Sequence, residues 1–139
     1  MGAAFTQRPG PFRAVVSLVG IDDVLRVEFD PNSAFNVTEF GTVKDPEQFK
    51  ALYAYSPYHH AKEGTSYPAI LFLTGDNDHR VNPMESRKMT ARLQAASSSD
   101  HLIDLRITAE RIEQGADFFS FLFDPSGIKY TPPGNGEVC

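Results

Sequence analysis

Apolar residues gather in two unbroken runs, AVVSLV at residues 14–19 and AILFLT at Ala69–Thr74. Runs of this length, rich in β-branched residues, suit strands buried on both faces, as in a parallel sheet. A third segment, LIDLRI at residues 102–107, alternates apolar and polar positions and predicts a strand near a sheet edge. Helical signals lie around these runs. Residues 1–8 are helix-compatible and stop at Pro9-Gly10. Asp45-Pro46-Glu47-Gln48 predicts a helix start, with Asp45 as cap, Pro46 in the first position and Gln48 completing a capping box; this helix should end near Tyr55. Asn82-Pro83-Met84-Glu85 repeats the signature, and the helix after it sets Ser86, Met89, Leu93 and Ala96 on one face. A last helix over residues 109–123 carries Ile112, Ala116, Phe119 and Phe123 on one face. Residues 21–45 read as a partly irregular connection with a turn at Asp30-Pro31-Asn32, and the prolines and glycines after Asp124 predict a loose tail.

The alternation of strands and helices implies right-handed crossovers and an α/β fold, about three parallel strands with helices on both faces. No repeat or internal boundary interrupts it, so one domain is expected over residues 1–130, with 131–139 as tail. A length of 139 residues is enough for one small domain. The net charge of -5 repels phosphate backbones and argues against nucleic acid. No stretch is long enough to span a bilayer, and no leader is visible at Met1-Gly2-Ala3-Ala4-Phe5, so a cytoplasmic chain is expected. The single cysteine, Cys139, cannot form an internal disulfide.

In open parallel sheets, ligands meet the loops at the carboxyl ends of strands. The loop after the second run, Gly75-Asp76-Asn77-Asp78-His79-Arg80-Val81, concentrates carboxylates, an imidazole and a guanidinium. Four readings compete for it. Asp76 and Asp78 begin a calcium-loop spacing, which Arg80 and Val81 break. A phosphoryl-transfer aspartate would need a magnesium cluster that the sequence does not offer. A solvated polar loop with an aspartate capping its turn is equally compatible. So is a triad acid, a carboxylate that orients a histidine and stabilises its protonated form.

The stretch YPAILFLTGDNDHRVNPMESRKMTARLQAA resembles the acid-loop segment of the prolyl oligopeptidase family. The blocks FRAVVSLVGIDDVLR, EFGTVKDPEQFKALYAYSPYHH and ERIEQGADFFSFLF are similar to the same family, in the same order. The resemblance runs from Met1 to about Tyr130. It implies part of an α/β-hydrolase domain that, in the family, accompanies an N-terminal β-propeller and cleaves short peptides after proline by a Ser, Asp, His mechanism. It puts the triad acid at Asp78 and a peptide-contacting arginine at Arg80. The apolar proline pocket falls on Val19, Ile21 and Val81, and across a gap on Phe35 and Phe40.

Two departures accompany the match. In the family, the serine-bearing G-x-S-x-G turn lies immediately before the segment corresponding to MGAAFTQRP, with which this sequence opens. The family's histidine sits in a Gly-His-Gly loop between the last strand and last helix; here RITA runs directly into ERIEQ, about a dozen residues shorter. No substitute stands out: His79 neighbours Asp78 on a tight loop, His59 and His60 fall in a polar linker, His101 precedes the last strand, Ser17 lies in a strand and Ser86 on a helix. The expectation is a fragment of a serine endopeptidase, without turnover of its own because nucleophile and base are missing. The alternative is a non-catalytic remnant or binding module. No cofactor or metal is expected. Proline-containing peptides are the implied ligands, and self-association is expected through an exposed apolar edge at residues 15–19.

Overall fold

The computed structural model describes residues 1–30, 35–76, 78, 80–108 and 111–129. Three parallel strands, β1 (Ala14–Leu18), β2 (Ala69–Thr74) and β3 (Ile103–Ile107), form one sheet in the order β1-β2-β3. Val15 pairs with Ile70 and Ile70 with Ile103; Ser17 pairs with Phe72 and Phe72 with Leu105. β2 is buried at every position, as its unbroken apolar run requires. β1 is not. Only Val15 and Ser17 are fully buried, and Leu18 is 61% exposed. Among the described residues β1 bonds to β2 alone, so it lies at an edge of the sheet, as expected for residues 15–19. β3 forms the other edge, as its alternation predicts.

On one face of the sheet, Val15, Ile70, Phe72 and Ile103 meet Phe5 of α1 (Gly2–Gln7) and Met89, Leu93 and Ala96 of α5 (Met84–Ala96). Those three helix residues and Ser86 are at most 2% exposed, so the spacing of three and four predicts the buried stripe correctly. Strand alternation sends Leu71 and Leu73 to the opposite face, where α6 (Arg111–Ser126) packs against β1 and β2. The face expected for α6 holds only in part. Phe123 is half-buried, but Phe119 is 57% exposed and Ala116 is exposed, while Phe118 and Phe121, off that face, are half-buried; the Ile112 side chain lies outside the described residues. The helix also continues through Pro125 to Ser126, past the expected end.

In the connection, α2 (Asn36–Phe40) stops at Gly41, whose φ of 98° is left-handed; a Cβ there would meet Gln48 Oε1 at 2.7 Å. α3 (Pro46–Tyr55) starts as its sequence predicts: Asp45 Oδ1 accepts from the N–H groups of Glu47 and Gln48, both at 2.9 Å. Gln48 does not close the capping box. Its side-chain oxygen accepts from Thr42 N at 2.8 Å and fastens the preceding loop instead. Ser56-Pro57 does not open an extended linker: Pro57 starts one helical turn, α4 (Pro57–His60), which packs on α1. The turn at Pro31-Asn32, the start of the last helix at residues 109–110 and the tail at 131–139 lie outside the described residues. No helix among the described residues is long and apolar enough to cross a membrane.

Candidate functional site at the carboxyl end of the sheet

Thr74 ends the central strand, and the chain turns through Gly75 and Asp76 to Asp78. The Asp78 side chain is 14% exposed. Its Oδ1 accepts from Arg80 N at 2.8 Å and Val81 N at 3.1 Å, an Asx-type turn that fixes the carboxylate's direction. Arg80 is 87% exposed in its side chain, with Nε 4.0 Å from the same oxygen. Val81 is half-buried. One short turn therefore holds Asp78, Arg80 and Val81 together. His79 lies outside the described residues.

Val19 and Ile21 leave the neighbouring strand at the same end of the sheet. Val19 N donates to Leu73 O at 2.8 Å, extending the β1–β2 ladder by one bond. Val19 has φ 49°, a left-handed conformation costly for a β-branched residue, on the order of 1–3 kcal/mol. Strain of this kind persists where the surroundings over-determine it, and it marks the turn as a constrained position. Phe35 and Phe40 bracket α2 in the connection, 61% and 46% exposed. Phe40 lines a small cavity with Val24, Val27 and Leu52. The structure thus brings Asp78, Arg80, Val81, Val19 and Ile21 to one end of two adjacent strands and leaves the two phenylalanines on the separate α2 segment.

The other histidines have partners elsewhere. His59 Nδ1 lies 2.9 Å from Ser56 Oγ, and His60 Nδ1 lies 3.0 Å from the Ser56 carbonyl. Both reach back to one residue because α4 is helical, not because an extended chain separates them. His101 Nδ1 lies 2.8 Å from Tyr67 O, before the starts of β2 and β3. Ser17 is 5% exposed within β1 and Ser86 is 1% exposed on α5. Among the described residues no group of three or more His, Cys, Asp or Glu side chains could hold a metal ion.

Sequence reasoning passed over a second polar cluster. Asp22, Asp23 and Glu85 are 2%, 1% and 3% exposed. Glu85 Oε2 accepts from Asp22 N at 3.0 Å and Asp23 N at 2.6 Å. Lys88 Nζ lies 2.9 Å from Asp23 Oδ2 and 3.4 Å from Glu85 Oε1, and Arg26 Nη1 lies 2.8 Å from Asp23 Oδ2. Burial pushes the Asp22 carboxyl up to about 7, with the Glu85 charge adding to the effect. Burial also pushes Glu85 up, against its bonds from Asp23 N and Lys88. For Asp23, hydrogen bonds from Lys88 and Arg26 outweigh burial and hold its carboxyl below the ordinary value. The available signal was two adjacent acids a few residues after a strand, and an acid three residues before a lysine on a helix.

Comparison with known proteins gives this geometry its context. The chain matches the prolyl oligopeptidase family over residues 1–111. It is 35% identical to a prolyl endopeptidase of Elizabethkingia meningoseptica, across 93% of this chain and 20% of that one. It is 33% identical to the prolyl oligopeptidase ophP of Omphalotus olearius, across 96% of this chain and 20% of the relative. A structure from a mechanistic study of two prolyl endopeptidases superposes with a TM-score of 0.89 at 36% identity, covering 96% of this chain and 20% of that one. The apo form of prolyl oligopeptidase B from Galerina marginata gives 0.87 at 27% identity, covering 93% and 19%. The chain therefore spans about a fifth of the length of these relatives, and its sheet and helices match the corresponding part of their α/β-hydrolase-like fold. With the family matched over residues 1–111 and a relative 35% identical across 93% of this chain, the chain belongs to the prolyl oligopeptidase family.

Proposed function

We propose that the chain is the portion of a serine endopeptidase that supplies the acid of the catalytic triad and one wall of the substrate pocket, and that alone it turns over no peptide. Asp78 orients the catalytic imidazole and stabilises its protonated form. Arg80, exposed beside it, contacts the bound peptide. Val19, Ile21 and Val81 form the apolar wall that receives proline, and Phe35 and Phe40 add to it from the separate α2 segment. The chain extends as one domain to about residue 130.

The observation that carries this reading is Asp78 itself. Its carboxylate sits at the carboxyl end of the central strand, pinned by two backbone N–H groups, at the same end of the sheet as the strained turn at Val19. A triad acid needs a fixed direction and protection from full hydration, and a side chain 14% exposed meets both. The same two bonds also suit a plain turn cap, so a non-catalytic binding module is the second reading.

The chain's own serines lack an elbow sequence, and Thr108-Ala109-Glu110 carries no histidine. Members of a triad act as a unit, so losing nucleophile and base removes most of the rate. The 139-residue chain should therefore neither react with a fluorophosphonate probe nor release chromophore from a Gly-Pro substrate. Probe labelling at a serine, with turnover above the matching Ser→Ala variant, would overturn this half of the proposal. The pocket half is tested by exchanging residues 14–107 into the Elizabethkingia relative. The chimera should still cleave after proline; a folded chimera that cleaves equally well after alanine would refute the pocket assignment.

A further inference from the structure

The cluster behind the pocket wall is built from two elements that must keep a fixed distance. One is the segment leaving β1, which carries Val19 and Ile21. The other is the first turn of α5, which follows the Asp78 loop through Asn82-Pro83. Glu85 bridges them, accepting the N–H groups of Asp22 and Asp23 on one oxygen. A buried carboxylate taking two backbone donors is a strong, directional fastening. The approach is too close for added bulk: a Cβ on Gly2 would lie 2.7 Å from Asp22 Oδ1, and one on Gly20 would lie 2.8 Å from Ser17 Oγ and 3.2 Å from Asp22 Oδ2.

Side-chain charge does not balance inside this clamp. Three carboxylates, Asp22, Asp23 and Glu85, face two side-chain cations, Lys88 and Arg26. Asp23 takes both cations and Glu85 shares Lys88. Asp22 Oδ2 and Asp23 Oδ1 are both buried with no hydrogen-bond partner among the described residues, but Asp23 is bonded through its other oxygen and Asp22 has no side-chain cation. From the other elements the cluster faces the Met1 amine of the N-terminus and, on α4, His59 and Tyr58. His59 Nδ1 is 3.9 Å from Asp23 Oδ1, the Lys88 ammonium sits over the Tyr58 ring, and Tyr58 N donates to Asp22 O at 2.9 Å. An ionised carboxylate without a partner in such a site is costly, and burial favours the protonated form of Asp22.

We propose that Glu85, acting with Asp22, is a positioning residue: its carboxylate fixes the backbone carrying Val19 and Ile21 against α5, and a single retained proton keeps that fastening closed. The step is an acid–base equilibrium in which the proton leaves to solvent and returns from it. The clamp's importance for catalysis rests on the assignment of Val19 and Ile21 to the pocket.

Amide NMR and hydrogen exchange on the 139-residue chain test it. The Asp22 and Asp23 amide resonances should move together through one transition near pH 7, because pairs this close titrate jointly. Asp22→Asn should abolish that transition. Glu85→Gln keeps an acceptor and should leave exchange at both amides slow, whereas Glu85→Ala should accelerate it about tenfold or more, the loss of a charged hydrogen bond. Wild-type amides that move only below pH 5, or a transition unchanged in Asp22→Asn, would overturn the proposal, and these readouts do not require that Glu85→Ala fold. Should the clamp behave as expected while a Gly-Pro peptide leaves the Val19 and Ile21 amides unmoved, the clamp stands and the pocket assignment fails.

Discussion

Asp22→Asn should make the protein more stable at neutral and alkaline pH and leave it unchanged in acid. In the unfolded chain Asp22 ionises near 3.8, and in the folded chain near 7. Below 3.8 both states hold the proton and the group contributes nothing to the difference. Between 3.8 and about 7 the unfolded chain releases it and the folded chain keeps it, so native stability falls as pH rises. Above 7 both are ionised and the slope vanishes. At about 1.4 kcal/mol per pH unit, the interval amounts to roughly 4 kcal/mol, a large share of the 5–15 kcal/mol typical of a domain. Asn is isosteric and never ionises, so the variant escapes the loss. His59 works in the opposite sense: burial lowers its pKa, so its contribution is lost as pH falls below 6.5. Comparing variant with wild type cancels that contribution. Urea unfolding followed by circular dichroism at pH 4, 6 and 8 is the assay, since the chain has no tryptophan. The stability gap should be near zero at pH 4 and open to a few kcal/mol by pH 8. A gap that is flat across this range would refute the assignment of a retained proton to Asp22.

Other outcomes follow from the packing. Asp45→Ala removes the acceptor of two N–H groups at the start of α3 and should cost about 1 kcal/mol in the same unfolding assay. Leu93→Ala, at a fully buried position where α5 meets the sheet, should cost about 2–5 kcal/mol; a smaller loss would mean the core is not packed as described. The chain should self-associate through the β1 edge, and Leu18→Lys, at a position 61% exposed, should weaken that association in analytical ultracentrifugation. Equal sedimentation of variant and wild type would remove the edge from consideration.

The sheet was legible because its signals are local. An apolar run such as AILFLT has few alternatives to a central strand, and Asp45-Pro46 carries its own cap chemistry. The β1 edge was anticipated, but its composition does not show that Val16 is only half-buried and Leu18 exposed, because that depends on what packs around the strand end. The orientation of α6 was legible only in part. Phe118, Phe119, Phe121 and Phe123 offer several apolar stripes, and packing against β1 and β2 selects one that leaves Phe119 out. In the site, GDNDHRV drew attention to Asp78 through its strand-end position. The Glu85 clamp was illegible because it joins residues more than sixty positions apart, and an acid in a helix's first turn ordinarily faces solvent.

The most direct test of the central claim replaces Asp78 by Asn in the chimera that keeps the Elizabethkingia relative's own serine and histidine. Asn preserves the acceptor for Arg80 N and Val81 N, so the loop should keep its shape. If Asp78 orients the imidazole, kcat on a Gly-Pro substrate should fall by about 10⁴-fold. A folded Asn variant with kcat within a few-fold of the parent chimera would contradict the account and leave Asp78 as a turn cap.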